Sequence, residues 1–428
     1  MITFEIENLG KIKRATINLK PLTIFIGENN TNKSWVAYCL YGILSKNLRE
    51  ILADEYISVS MSKSLNNPFK DLVNKVLEKK AIEEDFSKFL KENINLILED
   101  LSYIFVNSSS YLDEKPISSF FSLDNKKFSK TYLKLSLNEK LKHIAIESFK
   151  SSGRKIKYRF NEQNFINITK EKNSSILLIE VRKNKDIPEK IIKRDLYKSL
   201  LDISLDSLFK RTLVFPSERT GVSILDTTIR HLIFSELTTK GNISKFYENL
   251  HSVIKDFIHN INLIKYSKGG NNKYIELAKL MEKILGGKLL FEEEKADYVK
   301  FKPVDYIKYD ENDDEELPIW TTSSLVKSLA YFYLYLQNLA SGKDFIVLDE
   351  PEMNLHPKAQ AQLIELLTIF VNGLDKKDNN FLILTTHSPY ILDHLDNLIF
   401  AKEIYKYNTN ISEKFFLKTE KSFIDKNM

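Results

Sequence analysis

Apolar and polar residues alternate over Ile2–Glu7 and again over Ala15–Leu19, with Asn8-Leu9-Gly10 turning the chain between them. That period of two predicts half-buried strands. After Pro21 the alternation gives way to Leu22-Thr23-Ile24-Phe25-Ile26, a run that predicts a buried strand. Trp35, Val36, Cys39, Leu40, Ile43 and Leu44 then recur at helical spacing. Residues 45–150 keep a helical period, with stripes at Leu72, Val73, Val76 and Leu77 and at Phe89, Leu90, Ile94, Leu96 and Ile97. No heptad is sustained, which argues against a long coiled-coil arm. Strand-like pieces follow at Ile156–Phe160 and Ile176–Val181, and residues 187–212 turn helical again.

Leu213–Gly221 (Leu-Val-Phe-Pro-Ser-Glu-Arg-Thr-Gly) breaks that pattern with a short strand ending in proline. Its Glu218 and Arg219 are placed either to touch a ligand or to form a structural ion pair. Residues 228–263 are expected to be helical, and the cluster Lys265, Lys268, Gly269, Gly270 and Lys273 to be a solvated loop. Alternation at Tyr298, Val299, Phe301, Val304, Tyr306 and Tyr309 predicts a hairpin ending in the acidic run Asp310–Glu316, a wet tip that blunts an edge. A helix from Leu329 to Leu339 is apolar nearly all round and should be buried. Ser323 and Ser324 stand before it as caps or as phosphate contacts. Phe345–Leu348 and Phe381–Leu384 read as strands buried on both faces, with a helix carried inward by Leu363, Ile364, Leu366, Leu367 and Phe370 between them. Asp396–Ala401 and Phe415–Leu417 are expected to add strands.

The chain's 428 residues allow two or three domains, or one large domain with an insertion. At 43% hydrophobic residues it has enough apolar mass for a large core. A net charge of +5, from 63 basic and 58 acidic residues, does not mark a dedicated nucleic-acid binder, although local basic patches remain open. The single cysteine, Cys39, excludes an internal disulfide and a cysteine-based zinc site, and fits a reducing cytoplasm. The N-terminus does not read as a signal peptide, and no apolar run has the length of a membrane span.

Three of the expected buried strands end in chemistry. After Ile26 comes Gly27-Glu28-Asn29-Asn30-Thr31-Asn32-Lys33-Ser34, with Trp35 opening the helix. A strand, a polar loop, Lys-Ser and an amphipathic helix make the context of a phosphate-binding loop. There, backbone N–H groups cradle phosphate, Lys33 reaches the β- and γ-phosphates and Ser34 ligates magnesium. Asn32 stands where such loops carry glycine, and asparagine tolerates the left-handed conformation that the position demands. After Leu348 come Asp349 and Glu350, a carboxylate pair in need of a cation. After Thr386 comes His387. Parallel strands would gather the three ends at one sheet edge. In that arrangement Asp349 holds magnesium, Glu350 polarises the attacking water and His387 senses the γ-phosphate, which is phosphoryl transfer by positioning and electrostatics.

Taken in order, the phosphate loop, Thr321-Thr322-Ser323-Ser324-Leu325-Val326-Lys327-Ser328, Leu348-Asp349-Glu350-Pro351-Glu352, Asn354-Leu355-His356-Pro357 and Thr385-Thr386-His387-Ser388-Pro389 resemble the ABC-type ATPase heads of SMC proteins, RecF and the OLD nucleases. Stand-alone bacterial AAA ATPases of that group are the nearest likeness. The resemblance covers residues 1–44 and roughly 210–405. It implies an α/β P-loop NTPase fold: an ABC-ATPase head with a mixed sheet (1–44 and 210–428) and an inserted, mainly helical lobe (45–209). It further implies ATP and Mg²⁺ as cofactors. Ser323, Ser324 and Lys327 would reach the γ-phosphate held by a second copy, with Asn354 and His356 at that interface. Two ATPs would thus lie in a head-to-tail dimer, with a higher oligomer also open. Leu325 replaces the usual signature glycine, and no Q-loop glutamine is evident. With Asn32, these departures imply slow hydrolysis, or ATP used mainly as a clamp.

Members of the group without a nuclease domain occur in anti-phage defence beside a separate effector such as a nuclease. The short stretch after His387 leaves no expected room for a Toprim nuclease. The reading is therefore a slow ATPase whose nucleotide-driven dimerisation controls a partner effector. The alternatives are an ATP-stabilised scaffold that sequesters or positions a partner, and a DNA-repair or chromosome-maintenance ATPase.

Overall fold

The computed structural model describes residues 1–58, 64–108, 115–161, 164–182, 187–224, 250–267, 273–291, 298–304, 316–375 and 378–405. The chain divides into two compact units, one of residues 1–20 with 39–212 and one of residues 21–38 with 213–428. In chain order the strands are β1 (Ile2–Leu9), β2 (Ile12–Leu19), β3 (Leu22–Ile26), β4 (Ala81–Asp85), β5 (Tyr132–Leu137), β6 (Arg154–Arg159), β7 (Phe165–Lys170), β8 (Ile176–Arg182), β9 (Arg211–Phe215), β10 (Gly287–Leu290), β11 (Lys300–Pro303), β12 (Leu317–Pro318), β13 (Asp344–Asp349) and β14 (Phe381–Thr386). The helices are α1 (Lys33–Leu44), α2 (Lys46–Glu55), α3 (Lys70–Lys79), α4 (Phe86–Asn107), α5 (Pro116–Phe121), α6 (Glu139–Ser151), α7 (Glu189–Asp206), α8 (Ser252–Tyr266), α9 (Ile275–Leu285), α10 (Ser324–Asn338), α11 (Pro357–Asn372) and α12 (Pro389–Tyr405).

The first unit holds two antiparallel sheets, in the orders β2-β1-β5 and β4-β8-β7-β6. In β1 the inward residues Ile2, Phe4 and Ile6 alternate with partly exposed ones, as the sequence pattern requires. The long helix α4 packs on β5 and buries Leu90, Ile94, Ile97, Leu98 and Leu101. Arg49 on α2 bonds Asp202 and Asp206 of α7 at 3.0 and 2.8 Å. The helices and the strands near 156–182 match the sequence pattern, whereas β4 and β5 interrupt a stretch expected to be helical.

Residues 1–20 cluster with 39–212 because β1 pairs with β5 from Ile2↔Leu137 to Glu7↔Tyr132.

The second unit is built on a sheet of order β3-β14-β13-β9. The β13–β14 and β14–β3 pairs are parallel, in register at Asp349↔Thr385 and Thr386↔Ile26. All six residues of β13 and all six of β14 are buried. Each large aliphatic side chain so enclosed contributes about 1.5–3 kcal/mol to the fold. The core continues through α10 (Leu329, Phe332, Leu336) and α11 (Leu363, Leu366, Phe370), with α9 packed on both. Pro357 opens α11 at the position where a missing N–H costs nothing.

Several expectations are corrected in this unit. Residues 396–401 lie inside α12, not in a strand. Of the expected hairpin over 297–309 the described part is β11, antiparallel to β10 and β12, while 305–309 lie outside the described residues. Lys265 is not solvated: it is buried on α8, its Nζ 5.0 Å from the centre of the Phe291 ring and 5.7 Å from that of Tyr331. Lys273 is tied to Asp375 and Asp378. Residues 225–249, Lys268–Gly270, Tyr306, Tyr309, Asp310–Glu315 and Phe415–Leu417 fall outside the described residues. Among the described residues no helix is long and apolar enough to cross a membrane.

Candidate functional site

Residues 27–32 join β3 to α1 through a chain of unusual torsions, with φ of 152° at Gly27, 61° at Asn30 and 67° at Asn32. Asparagine therefore does adopt the left-handed conformation where a glycine was expected. Its carbonyl also accepts the first turn's bond from Val36 N at 3.1 Å, so this residue starts the helix. The loop closes round the Lys33 ammonium, which donates to Gly27 O at 3.0 Å, Glu28 O at 2.7 Å and Thr31 Oγ1 at 3.4 Å. An ammonium beside the N-terminus of a twelve-residue helix makes an electropositive concavity that suits phosphate.

Asp349 ends β13 with 1% of its surface exposed. Its Oδ1 accepts from Ser34 Oγ at 2.9 Å and from Thr385 Oγ1, and its Oδ2 accepts from Tyr38 OH at 2.6 Å. Burial, followed by the Asp349 charge, pushes the Tyr38 phenol well above its ordinary range. Tyr38 thus stays a donor at any working pH.

Glu350 carries φ of 45°, a conformation that costs a non-glycine residue about 1–3 kcal/mol and persists only where neighbours enforce it. Its N–H is held by Thr385 O and Thr385 Oγ1, both at 3.1 Å. Its Oε1 lies 3.0 Å from His387 Nε2, and His387 Nδ1 lies 3.5 Å from Lys33 Nζ. An ammonium can only donate, so the pair is satisfied when His387 accepts from Lys33 through Nδ1 and donates to Glu350 through Nε2. Glu352 fixes the histidine from behind, accepting from His387 N at 2.8 Å and Thr386 Oγ1 at 2.6 Å.

The structure thus gathers Lys33, Ser34, Asp349, Glu350 and His387 in one cluster. The loop residues Gly27, Glu28 and Thr31 bond Lys33 there, whereas Ser323 and Lys327, expected to meet a second copy, bond other partners. Ser323 caps α10, accepting from Val326 N at 3.3 Å, and Lys327 Nζ donates to Trp320 O at 3.1 Å. Ser323 and Ser324 are exposed, while Leu325 packs against the core. Asn354, at φ of 65°, and His356 are exposed in the β13–α11 loop, anchored by buried Leu355. Tyr38, Thr385, Thr386 and Glu352 were not singled out from the sequence. Tyr38 had a signal there, since it lies one helical turn from Ser34 and shares its face. Arg219 is neither an ion-pair partner of Glu218 nor a surface residue. It is buried and bonded to main-chain carbonyls, whereas Glu218 is exposed.

The residues present fit a magnesium–nucleotide complex. Ser34 Oγ and Asp349 Oδ1 are hard oxygen donors within 2.9 Å of one another, the donor type that magnesium takes beside phosphate oxygens. Among the described residues no group of three or more His, Cys, Asp or Glu could hold a metal by itself.

A family model described as AAA ATPase domain matches residues 1–392. Among solved structures, the chain is similar to an SMC head bound to the C-winged helix domain of ScpA. The identity is 12%, with 92% of this chain and 90% of that one covered and a TM-score of 0.37. It is also similar to an SMC head domain with an extended coiled coil bound to the C-terminal domain of ScpA, from Pyrococcus furiosus. There the identity is 13%, with 92% of each chain covered and a TM-score of 0.34. No curated protein sequence matches the chain.

Proposed function

Since the chain belongs to the AAA ATPase domain family, we propose that it binds ATP with Mg²⁺, hydrolyses it slowly to ADP and phosphate, and uses nucleotide-driven dimerisation to control a separate effector in bacterial anti-phage defence. One observation carries the catalytic part: Ser34, Asp349, Glu350 and His387 meet at the ends of β13 and β14, beside Lys33. Lys33 and the α1 N-terminus hold phosphate oxygens. Ser34 and Asp349 would hold magnesium, which neutralises phosphate charge. Glu350 orients water and takes its proton, and His387 holds the Glu350 carboxylate in place.

The slow rate is inferred from Asn32 and Leu325, which stand where the motifs they resemble carry glycine. Exposed Ser323, Ser324, Asn354 and His356, with half-buried Lys327, form the surface that a second copy would meet, completing a head-to-tail pair. The effector role rests on the motif resemblance. Its effector is a separate protein, a nuclease in the simplest case.

The test compares wild type with Glu350→Gln. Wild type is expected to show slow, magnesium-dependent turnover. The variant should lose about a hundredfold or more in rate while keeping ATP and accumulating as an ATP-bound dimer. Absence of magnesium-dependent ATP binding in both proteins ends the catalytic reading. An E350Q monomer at saturating ATP ends the dimer reading.

A further inference from the structure

A buried guanidinium ordinarily faces a carboxylate. Arg219 instead spends its donors on the main chain. Only 2% exposed, it donates from Nε to Ser328 O at 2.8 Å, from Nη1 to Pro216 O at 3.0 Å and to Asp349 O at 2.5 Å, and from Nη2 to Glu350 O at 2.8 Å. Those carbonyls belong to three segments: the turn after β9, the second turn of α10 and the C-terminal end of β13. Ser223, one turn beyond Arg219, strengthens the same connection. Its Oγ lies 2.9 Å from Lys327 O and 2.7 Å from Arg219 O, within reach of its hydroxyl proton.

The position of this fork matters because of Glu350. Its left-handed backbone is held on the N–H side by Thr385 and on the carbonyl side by Arg219. The carboxylate so aimed is the one that faces His387. On the other arm, the α10 carbonyls of Lys327 and Ser328 lie within two turns of Ser323 and Ser324. A planar guanidinium can bind three segments at once through fixed, divergent N–H groups, whereas an ammonium is a single point.

We infer that Arg219 is a positioning residue that sets the Glu350 backbone and couples it to the first turns of α10. The aim of the water-activating carboxylate then depends on where the Ser323–Lys327 end of that helix stands. Displacement of α10 by a ligand or a second copy would be transmitted to Glu350 through one side chain. This inference rests on the ATPase reading above.

The experiment measures ATP affinity, KM and kcat per nucleotide-binding molecule for wild type, Arg219→Lys, Ser223→Ala and Glu350→Gln. Arg219→Lys is expected to hold ATP affinity within about threefold and to lose about tenfold or more in kcat. Ser223→Ala should show the same split at about threefold in kcat. A residue that only stabilises the fold would lower the amount of binding-competent protein and leave kcat per bound nucleotide intact; that result overturns the inference, as does a parallel loss of affinity and kcat. If Arg219→Lys does not fold, Ser223→Ala decides alone, and wild-type kcat in it overturns the coupling. Wild type without magnesium-dependent turnover sinks the ATPase reading and this inference together. Wild-type turnover, lost in Glu350→Gln but unchanged in Arg219→Lys, sinks the inference alone.

Discussion

His387 Nε2 stands 3.0 Å from Glu350 Oε1, joining the end of β14 to the residue that follows β13. The imidazole also lies 3.5 Å from Lys33 Nζ, so a single ring lies between the phosphate-loop lysine and the carboxylate proposed to activate water. Glu350 and His387 side chains keep 28% and 29% of their surface exposed, which leaves the carboxylate open to water. Replacing the ring with alanine removes the donor that orients Glu350 and leaves Lys33 its bonds to Gly27 O, Glu28 O and Thr31 Oγ1. His387→Ala is expected to lower kcat by about ten- to a hundredfold and to change ATP affinity by less than about threefold. Equilibrium nucleotide binding beside steady-state turnover reads both. A loss confined to affinity would place His387 in binding instead.

Asn32 offers a test of the loop's backbone. Its φ of 67° suits glycine without strain and asparagine at small cost, but a β-branched residue only with strain of about 1–2 kcal/mol. Asn32→Gly is expected to keep or tighten ATP binding. Asn32→Val should weaken it by about five- to thirtyfold, the same strain expressed as an equilibrium. Titration with a fluorescent nucleotide checks the order, and equal affinities in the two variants would show that the torsion does not limit the site.

The contrast between Lys33, Asp349 and His387 on one side and Arg219 on the other shows what a single sequence discloses. The first three end apolar runs, and parallel pairing forces the ends of such runs to one edge. Arg219 binds carbonyls, which every residue has, so nothing in its neighbours' identities announces the contact. Thr385 and Thr386 were hidden in another way, since both close an apolar run and are buried with it. Residues 396–401 misled because a short apolar stretch is equally compatible with strand and helix, and the helix had already begun at Pro389. The β1–β5 pairing carried no local signal, because β5 lies more than a hundred residues away along the chain.

Asp100 gives a prediction about pH and the first unit. Its carboxylate accepts from Asn66 N at 2.9 Å, Asn66 Nδ2 at 2.8 Å, Asn67 N at 3.0 Å and Tyr56 OH at 2.7 Å. Burial nonetheless raises its pKa above the usual carboxylate value, against those donors. The folded chain therefore binds this proton more tightly than the unfolded chain, whose value is about 3.9. The group's contribution to stability is complete below that value and is lost as pH rises through the raised folded pKa. Asp100→Asn removes the titration. The stability of wild type minus that of the variant, from urea midpoints, is expected to fall on going from about pH 4 to about pH 7. A difference that stays flat or rises contradicts the assignment.

Tyr38 bears on the metal. Its phenol donates to Asp349 Oδ2 at 2.6 Å while Ser34 donates to Oδ1 at 2.9 Å, so the two α1 residues grip opposite oxygens of one carboxylate. A hydroxyl that orients a metal-binding carboxylate acts on metal affinity, and loss of such a partner weakens binding by about 10–100-fold in well-formed sites. Magnesium bound largely through ATP phosphates depends less on the protein, so the effect here belongs at the lower end. Tyr38→Phe is expected to raise the Mg²⁺ concentration for half-maximal ATPase by about tenfold or less, with kcat restored at saturating Mg²⁺. Ser34→Ala differs because it removes a proposed ligand, and excess metal should not rescue it. Magnesium titrations of turnover separate the two. A Tyr38→Phe enzyme with wild-type magnesium dependence would show that Ser34 and Thr385 suffice to hold Asp349, and that the phenol serves only the packing of α1.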